Sequence, residues 1–422
     1  DTPISPPRAW AEINLTALRH NLKVAADVWP GMALMAVVKA GAYGHGLEDV
    51  AAVFAEAGVA FLGVANVGEA RRIQRAGIVS RIYLLGATWS GEREEIVAQG
   101  WTPCISSLAE AEEFARIAER RGVVLPVHLA VDTGMGRGGF VAEHLPETLA
   151  ALQVLPGLQI EGIGSHLPSA DEDEEFTKAQ FARFVGIIEE LGGPNVFVWR
   201  HLANSAGLLG YDPACCNLAR PGLMLYGVSP LPQFQAKLRT VMSLKSRVTL
   251  IRTLPAGHGV SYGRAFVTTQ ETRVATIGVG YGDGYPRHVS GHGARVRVKG
   301  KFFPILGRVT MDQMMIDVSA APDVVEGDEV ELFGPNIPVS EVAEAAWAAV
   351  HGTRVHTVVG KTARRLAKWA VYLAIAFWTG GAWIMYFADA PTLTRDFWSG
   401  NAAPVAYATV ALLTATRSEE HT

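Results

Sequence analysis

The chain has little cysteine: three residues in 422, at Cys104, Cys215 and Cys216. Adjacent Cys215 and Cys216 match neither a disulfide framework nor the paired spacings of a zinc site. Both are therefore excluded as organising constraints, no metal site is expected, and the thiols read as buried or incidental. Charge is also sparse, at 18% of residues with a formal net charge of -4. Nucleic-acid binding leaves a basic footprint, so no electrostatic case for it arises. No signal peptide is visible at the start, which is Asp1 rather than methionine; the sequence reads as beginning mid-frame or after processing.

Apolar material is abundant. Hydrophobic residues make up 49% of the chain, enough for a large core, and the length suggests roughly three domains. From about residue 33 to 227, short apolar runs alternate with helical patterns. The strand candidates are "ALMAVVK", "FLGVA", "IYLLG", "LPVHLAVD", "IEGIGSH" and "FVWRHLA". Helical patterns such as "SLAEAEEFARIAERRG" and "EEFTKAQFARFVGIIEELGG" lie between them. Such alternation predicts βα units around a parallel sheet. The number of units favours a closed barrel, although spacing alone leaves an open sheet in play. From about residue 240 to 333 the texture becomes mostly β, with "SRVTLIRTL", "TRVATIGVG", "ARVRVKGKFFPIL" and "DEVELFG", and a helical stretch "SEVAEAAWAAV" follows.

The fold class expected is α/β: an N-terminal (β/α)8 TIM-like barrel over residues 8–236, a mostly-β domain over 237–365, and a hydrophobic tail over 366–422. Within the tail, about 19 uncharged, mostly apolar residues follow Lys368, a length that fits a transmembrane helix. The basic flank Lys361, Arg364, Arg365 and Lys368 would place its N-terminal side in the cytoplasm.

Several polar residues fall at the C-terminal ends of the proposed barrel strands, the face that carries active sites in βα barrels. They are Lys39 in "MAVVKAGAYGHG", Arg137 in "DTGMGRGGF", His166 after "IEGIGS", Asn204 and Ser205 after "WRHLA", and Arg220 and Gly222 in "ARPGLMLYG". Taken singly, Lys39 reads equally as a surface ion-pair partner and His166 as a core histidine. Together they suggest a partly buried lysine whose neutral amine forms a Schiff base with a carbonyl. Pyridoxal 5'-phosphate is the obvious carbonyl partner, with Tyr43, Ser205 and Gly222 as candidate phosphate donors.

The series "AVVKAGAYGHG", "DTGMGRGGF", "HLANSAG", "ARPGLMLYG", "VSYGRAF", "GVGYGDGYPR" and "GRVTMDQMMIDV" resembles, in order, the motifs of alanine racemases, and "PRAWAEINLTALRHNL" resembles that family's entry segment. The resemblance implies a pyridoxal-phosphate barrel, a C-terminal β domain and a homodimer with shared active sites, acting on a small amino acid in the cytoplasm. It gives Lys39 and Tyr262, the latter from the partner subunit, as the two catalytic bases. It gives Tyr43, His166, Asn204, Ser205, Arg220 and Gly222 to the cofactor. It gives Arg137, Met311, Asp312 and Tyr281 to the substrate. Two bases on opposite faces of Cα suit racemisation. An arginine at the pyridine nitrogen, unable to give up its proton, would limit side reactions such as transamination.

Three positions depart from the family pattern. Gly41 stands where the family usually has Asp, so any role of that carboxylate is lost. Ala130 replaces a lysine able to be carbamylated, which leaves Arg137 without that anionic partner. His356, in "GTRVHT", stands at the phosphate-binding tyrosine and is expected to take its place with weaker affinity. The acidic run Asp171 to Glu175 reads as a solvated loop and helix start; as an acidic rim it would favour a cationic substrate and a broad-specificity racemase. A catalytically impaired cofactor-binding relative is a further alternative. The tail resembles the membrane segment of a cytochrome oxidase assembly protein, and the final "RSEEHT" resembles a translated sequencing adapter. A chimeric reading frame is the expectation there, with membrane anchoring the alternative.

Overall fold

The computed structural model describes residues 6–351 and 385–387. The chain divides into two units, Leu15–Arg239 and the remainder.

In the first unit, eight parallel strands follow one another in chain order: Ala33–Val37, Phe61–Val64, Ile82–Leu84, Thr102–Ile105, Leu125–Asp132, Leu158–Gly164, Trp199–His201 and Leu218–Ala219. The last pairs with the first, and backbone bonds from Asn217 N–H to the Arg200 carbonyl (3.0 Å) and from Arg220 N–H to the Ala203 carbonyl (2.9 Å) close the ring. All six strand candidates form. The two additions, Thr102–Ile105 and Leu218–Ala219, are short, and the first contains Pro103, so neither stands out by hydrophobic run. Met35, Phe61, Tyr83, Cys104 and Leu218, one from each of five strands, pack together as an apolar core cluster.

The helices begin and end where local chemistry dictates. Ser107 caps Leu108–Arg121 by accepting from Glu110 N–H; Arg120 and Arg121 occupy its last turn, and Gly122 ends it at φ +66°. Asp173 caps Glu174–Glu190 by accepting from Phe176 N–H at 2.9 Å, and Glu174 pairs with Lys178 one turn on. The acidic run is thus a helix start, as the solvated-loop reading has it.

In the second unit, the long strand Met242–Leu254 pairs with Glu329–Phe333 along its first half and with Thr272–Ile277 along its second, with a bulge between Val248 and Leu250. Strands Met314–Asp317, Lys301–Leu306 and Arg295–Val298 complete an antiparallel ring. Lys299 (φ +45°) and Gly300 (φ +80°) form the two-residue turn between the last two, the left-handed geometry a tight hairpin needs. Ala9–Ile13, which the sequence boundary at residue 8 put with the barrel, pairs instead with Met242–Ser246 in this unit. An isolated strand at the head of a chain carries no local sign of its sheet. The helical stretch forms Val339–His351.

The apolar tail and His356 lie outside the described residues, apart from Met385–Phe387. Those three residues are extended and pair parallel with Ala11–Ile13, which corrects the helix expected at the end of that run. Among the described residues no helix is long and apolar enough to cross a membrane.

Candidate active site

Lys39 follows the strand Ala33–Val37, half-buried, at the start of a turn of unusual hand. Ala40, Gly41, Ala42 and Tyr43 are all left-handed, with φ of 57, 62, 57 and 54°. A left-handed turn costs a non-glycine residue roughly 1–2 kcal/mol, so surrounding contacts must hold it. His45 does so from within: buried, its Nδ1 donates to the carbonyls of Ala42 (3.1 Å) and Tyr43 (2.9 Å). Burial lowers its pKa to about 4, so it is neutral there. Glu69 does so from outside: Oε1 accepts from Gly41 N–H (3.0 Å) and Oε2 from Ala65 N–H (2.9 Å). Gly41 sits where glycine bears no steric penalty, and a Cβ there would meet nothing within 4 Å. The departure from Asp therefore eases the turn.

The turn brings Tyr43 against Gly222. A methyl group on Gly222 would lie 2.5 Å from the Tyr43 hydroxyl oxygen, so only glycine leaves that space. Burial raises the Tyr43 pKa to about 12, keeping the phenol protonated and able to donate. Tyr226 packs beside it with ring centroids 4.7 Å apart, and its own hydroxyl donates to the Val37 carbonyl at 2.9 Å. The Ser205 hydroxyl oxygen accepts from Gly222 N–H at 2.9 Å. Asn204 caps the short helix Ser205–Gly210, accepting from Gly207 N–H and donating to the Leu167 carbonyl.

Arg220 is buried, 6% exposed, and both terminal nitrogens of its guanidinium are engaged. One terminal nitrogen donates to the His201 carbonyl (3.0 Å) and to His201 Nδ1. The other meets the carbonyls of Ser165 and Leu202 and lies 3.3 Å from His166 Nδ1. His201 Nδ1 is therefore an acceptor, and its Nε2–H donates to His128 Nδ1 at 2.9 Å. Burial, then the cations Arg220, Arg137 and Lys39, lower the His166 pKa to about 3, so it is neutral too. The glycines of "IEGIG" make room for this row: a Cβ on Gly164 would lie 2.1 Å from the His201 ring, and one on Gly162 2.7 Å from His128.

Asp132 gathers the loop before Arg137, its carboxylate accepting from the N–H groups of Gly134, Met135 and Gly136. Arg137 is exposed and, among the described residues, pairs with no carboxylate, as the alanine at position 130 implies. The Lys39 pKa is lowered, first by burial and then by Arg137, with Glu69 opposing and Arg220 adding to the fall. Lys39, Arg137, His166 and Arg220 thus share one electrostatic neighbourhood, with the Tyr43, Gly222 and Ser205 cradle beside it.

The second unit gathers the remaining residues in one loop cluster. Tyr281 N–H donates to the Thr310 carbonyl (2.9 Å) and Gly282 N–H to that of Met311 (2.7 Å), tying Tyr281 to Met311 and Asp312. Ser261 donates to the Arg308 carbonyl just upstream, which brings in Tyr262. Tyr262 and Met311 are 61% and 53% exposed.

The N-terminal domain model of alanine racemases matches residues 13–230 and the C-terminal domain model residues 241–368. The chain belongs to the alanine racemase family. An alanine racemase from Desulforamulus reducens is 41% identical over 366 residues, 85% of this chain and 98% of its own. The crystal structure of the alanine racemase from D-cycloserine-producing Streptomyces lavendulae matches with a TM-score of 0.79 at 33% identity, covering 92% of this chain and 99% of that one. The alanine racemase from Bartonella henselae, solved with covalently bound pyridoxal phosphate, matches with a TM-score of 0.76 at 26% identity over 90% of this chain and all of that one.

The motif series in the sequence thus led to the right family. Glu69, His45, Tyr226, His128 and His201 were not singled out by sequence reasoning. Glu69 had one faint signal, a glutamate three residues after the capping Asn66.

Proposed function

We propose that the protein is a pyridoxal-phosphate-dependent alanine racemase, interconverting L- and D-alanine in the cytoplasm and supplying D-alanine for peptidoglycan. The observation that carries this reading is the half-buried Lys39, its amine biased toward the neutral form, next to a space that only glycine at 222 keeps open beside the Tyr43 hydroxyl.

The residues present fit the cofactor. Lys39 would hold its aldehyde carbon. Tyr43, Asn204, Ser205 and Gly222 would hold its phosphate, helped by His356. His166 and Arg220 would flank the ring. Pyridoxal phosphate, when bound, supplies a sink for the electron pair left when the α-proton departs. Arg220, held by His201 and three carbonyls, keeps its proton and so gives none to the ring nitrogen, which restrains side reactions. Arg137, free of a carboxylate partner, would orient the substrate. Lys39 would move the proton at one face of Cα, and Tyr262 from a partner subunit at the other. Tyr281, Met311 and Asp312 of the partner would line the entrance. Exposure of Tyr262 and Met311 supports a second copy as their cover.

The test is D-alanine formation from L-alanine by the full chain with added pyridoxal phosphate. Turnover is expected; its absence overturns the reading, and faster turnover of a cationic amino acid replaces it with a broad-specificity racemase. Lys39→Ala should abolish racemisation. Tyr262→Phe should slow α-hydrogen exchange from one enantiomer far more than from the other, and equal small effects would remove it as a base.

A further inference from the structure

Glu69 is 7% exposed and occupies the third position of the helix Val67–Arg75, which Asn66 caps. Its carboxylate does not stay on its own helix. One oxygen takes the Gly41 N–H at the centre of the left-handed turn, and the other takes the Ala65 N–H after the neighbouring strand. Gly41 is half-buried and Ala65 exposed, so the loss of the acceptor is felt mainly at the Gly41 N–H, in the turn itself.

The barrel uses this device twice. Glu110, 4% exposed and third in the helix Leu108–Arg121, accepts from the N–H (3.1 Å) and hydroxyl (3.1 Å) of Thr88 with one oxygen and from Ser106 N–H (2.8 Å) with the other. Each glutamate ties the turn after one strand to the turn after another. Of these two glutamates, Glu69 is the one that ties down the segment carrying Lys39 and Tyr43.

We propose that Glu69 is a positioning residue for the reaction: its carboxylate locks the left-handed turn Ala40–Tyr43, sets the directions of the Lys39 amine and the Tyr43 hydroxyl, and keeps one anion beside the amine. This rests on Lys39 being the cofactor lysine. Arg137 and Arg220 are the cations facing that amine, and Glu69 is the group that opposes them. Glu110 exerts no comparable influence on Lys39, which makes it the internal control.

The experiment uses the full chain, freed of cofactor with hydroxylamine. Competitive acylation over a pH series, read by peptide mass spectrometry, gives the Lys39 pKa. Rebinding of pyridoxal phosphate gives the cofactor Kd, and borohydride reduction with peptide mapping identifies the attached lysine. Glu69→Gln is expected to lower the Lys39 pKa by roughly half a unit or more and to weaken cofactor binding about threefold or more. Glu110→Gln should move neither. An unmoved pKa and Kd in Glu69→Gln, or equal changes in Glu110→Gln, overturns the proposal alone. Attachment at a lysine other than Lys39 overturns the lysine assignment and the proposal with it. Should Glu69→Gln not fold, Glu69→Asp keeps the charge but is one methylene too short to reach both amides. A Kd raised about threefold with the Lys39 pKa kept then supports the lock, and an unchanged Kd refutes it.

Discussion

Replacing Gly222 by alanine isolates the cradle from everything else in the barrel. The Gly222 backbone has φ −122°, outside the left-handed region reserved for glycine, and any backbone cost of the substitution is the same in both backgrounds of the cycle below. The cost that depends on Tyr43 comes from the new methyl, placed 2.5 Å from the Tyr43 hydroxyl oxygen and 3.2 Å from the ring carbon that bears it. Ordinary contact requires about 3.4 Å or more, so the hydroxyl must retreat by roughly 1 Å, against the Tyr226 ring packed beside it. Overpacking of this kind costs about 1–3 kcal/mol. If Tyr43 and Gly222 hold the cofactor phosphate, that cost appears as a cofactor Kd raised roughly 5- to 150-fold. Equilibrium titration of the cofactor-free chain with pyridoxal phosphate measures it. The decisive comparison is a double-mutant cycle with Tyr43→Phe, which removes the offending oxygen. Gly222→Ala should hurt much less in the Tyr43→Phe background than in the wild type. Additive effects of the two substitutions, or a Gly222→Ala Kd within twofold of wild type, would refute the steric reasoning.

Two further outcomes follow from the histidine row and the turn. Gly164→Ala drives a methyl into the His201 ring and should destabilise the barrel by about 3 kcal/mol or more; a loss under about 1 kcal/mol in urea unfolding would show that His201 has room to move. His45, neutral in the fold with a pKa of about 4 against 6.5 when unfolded, binds its proton more readily in the unfolded chain. Its stabilising contribution is present above pH 6.5 and is lost as pH falls toward 4, by about 3 kcal/mol at most. His45→Gln should flatten the dependence of unfolding free energy on pH across that window, and an unchanged slope would remove His45 as its source.

The alternating strands and helices were legible because hydrophobic period and capping residues are local. Ser107 and Gly122 bracket their helix as the sequence suggests, and the six strand candidates all form. The residues at the strand ends were legible for a related reason: a barrel sends every strand's C-terminal end to one rim, so topology alone gathers Lys39, His166 and Arg220. Three things required the tertiary structure. One was the sheet that Ala9–Ile13 joins, since its partner strand lies more than two hundred residues away. Another was the hand of the Lys39 turn, since three of its four left-handed residues are not glycine and their residue types do not favour that conformation. The last was the set of buried groups that hold the site, Glu69 under the turn and His201 beside Arg220. Their roles come from neighbours distant in sequence, and a glutamate or histidine on its own gives no sign of which amide or guanidinium it will meet.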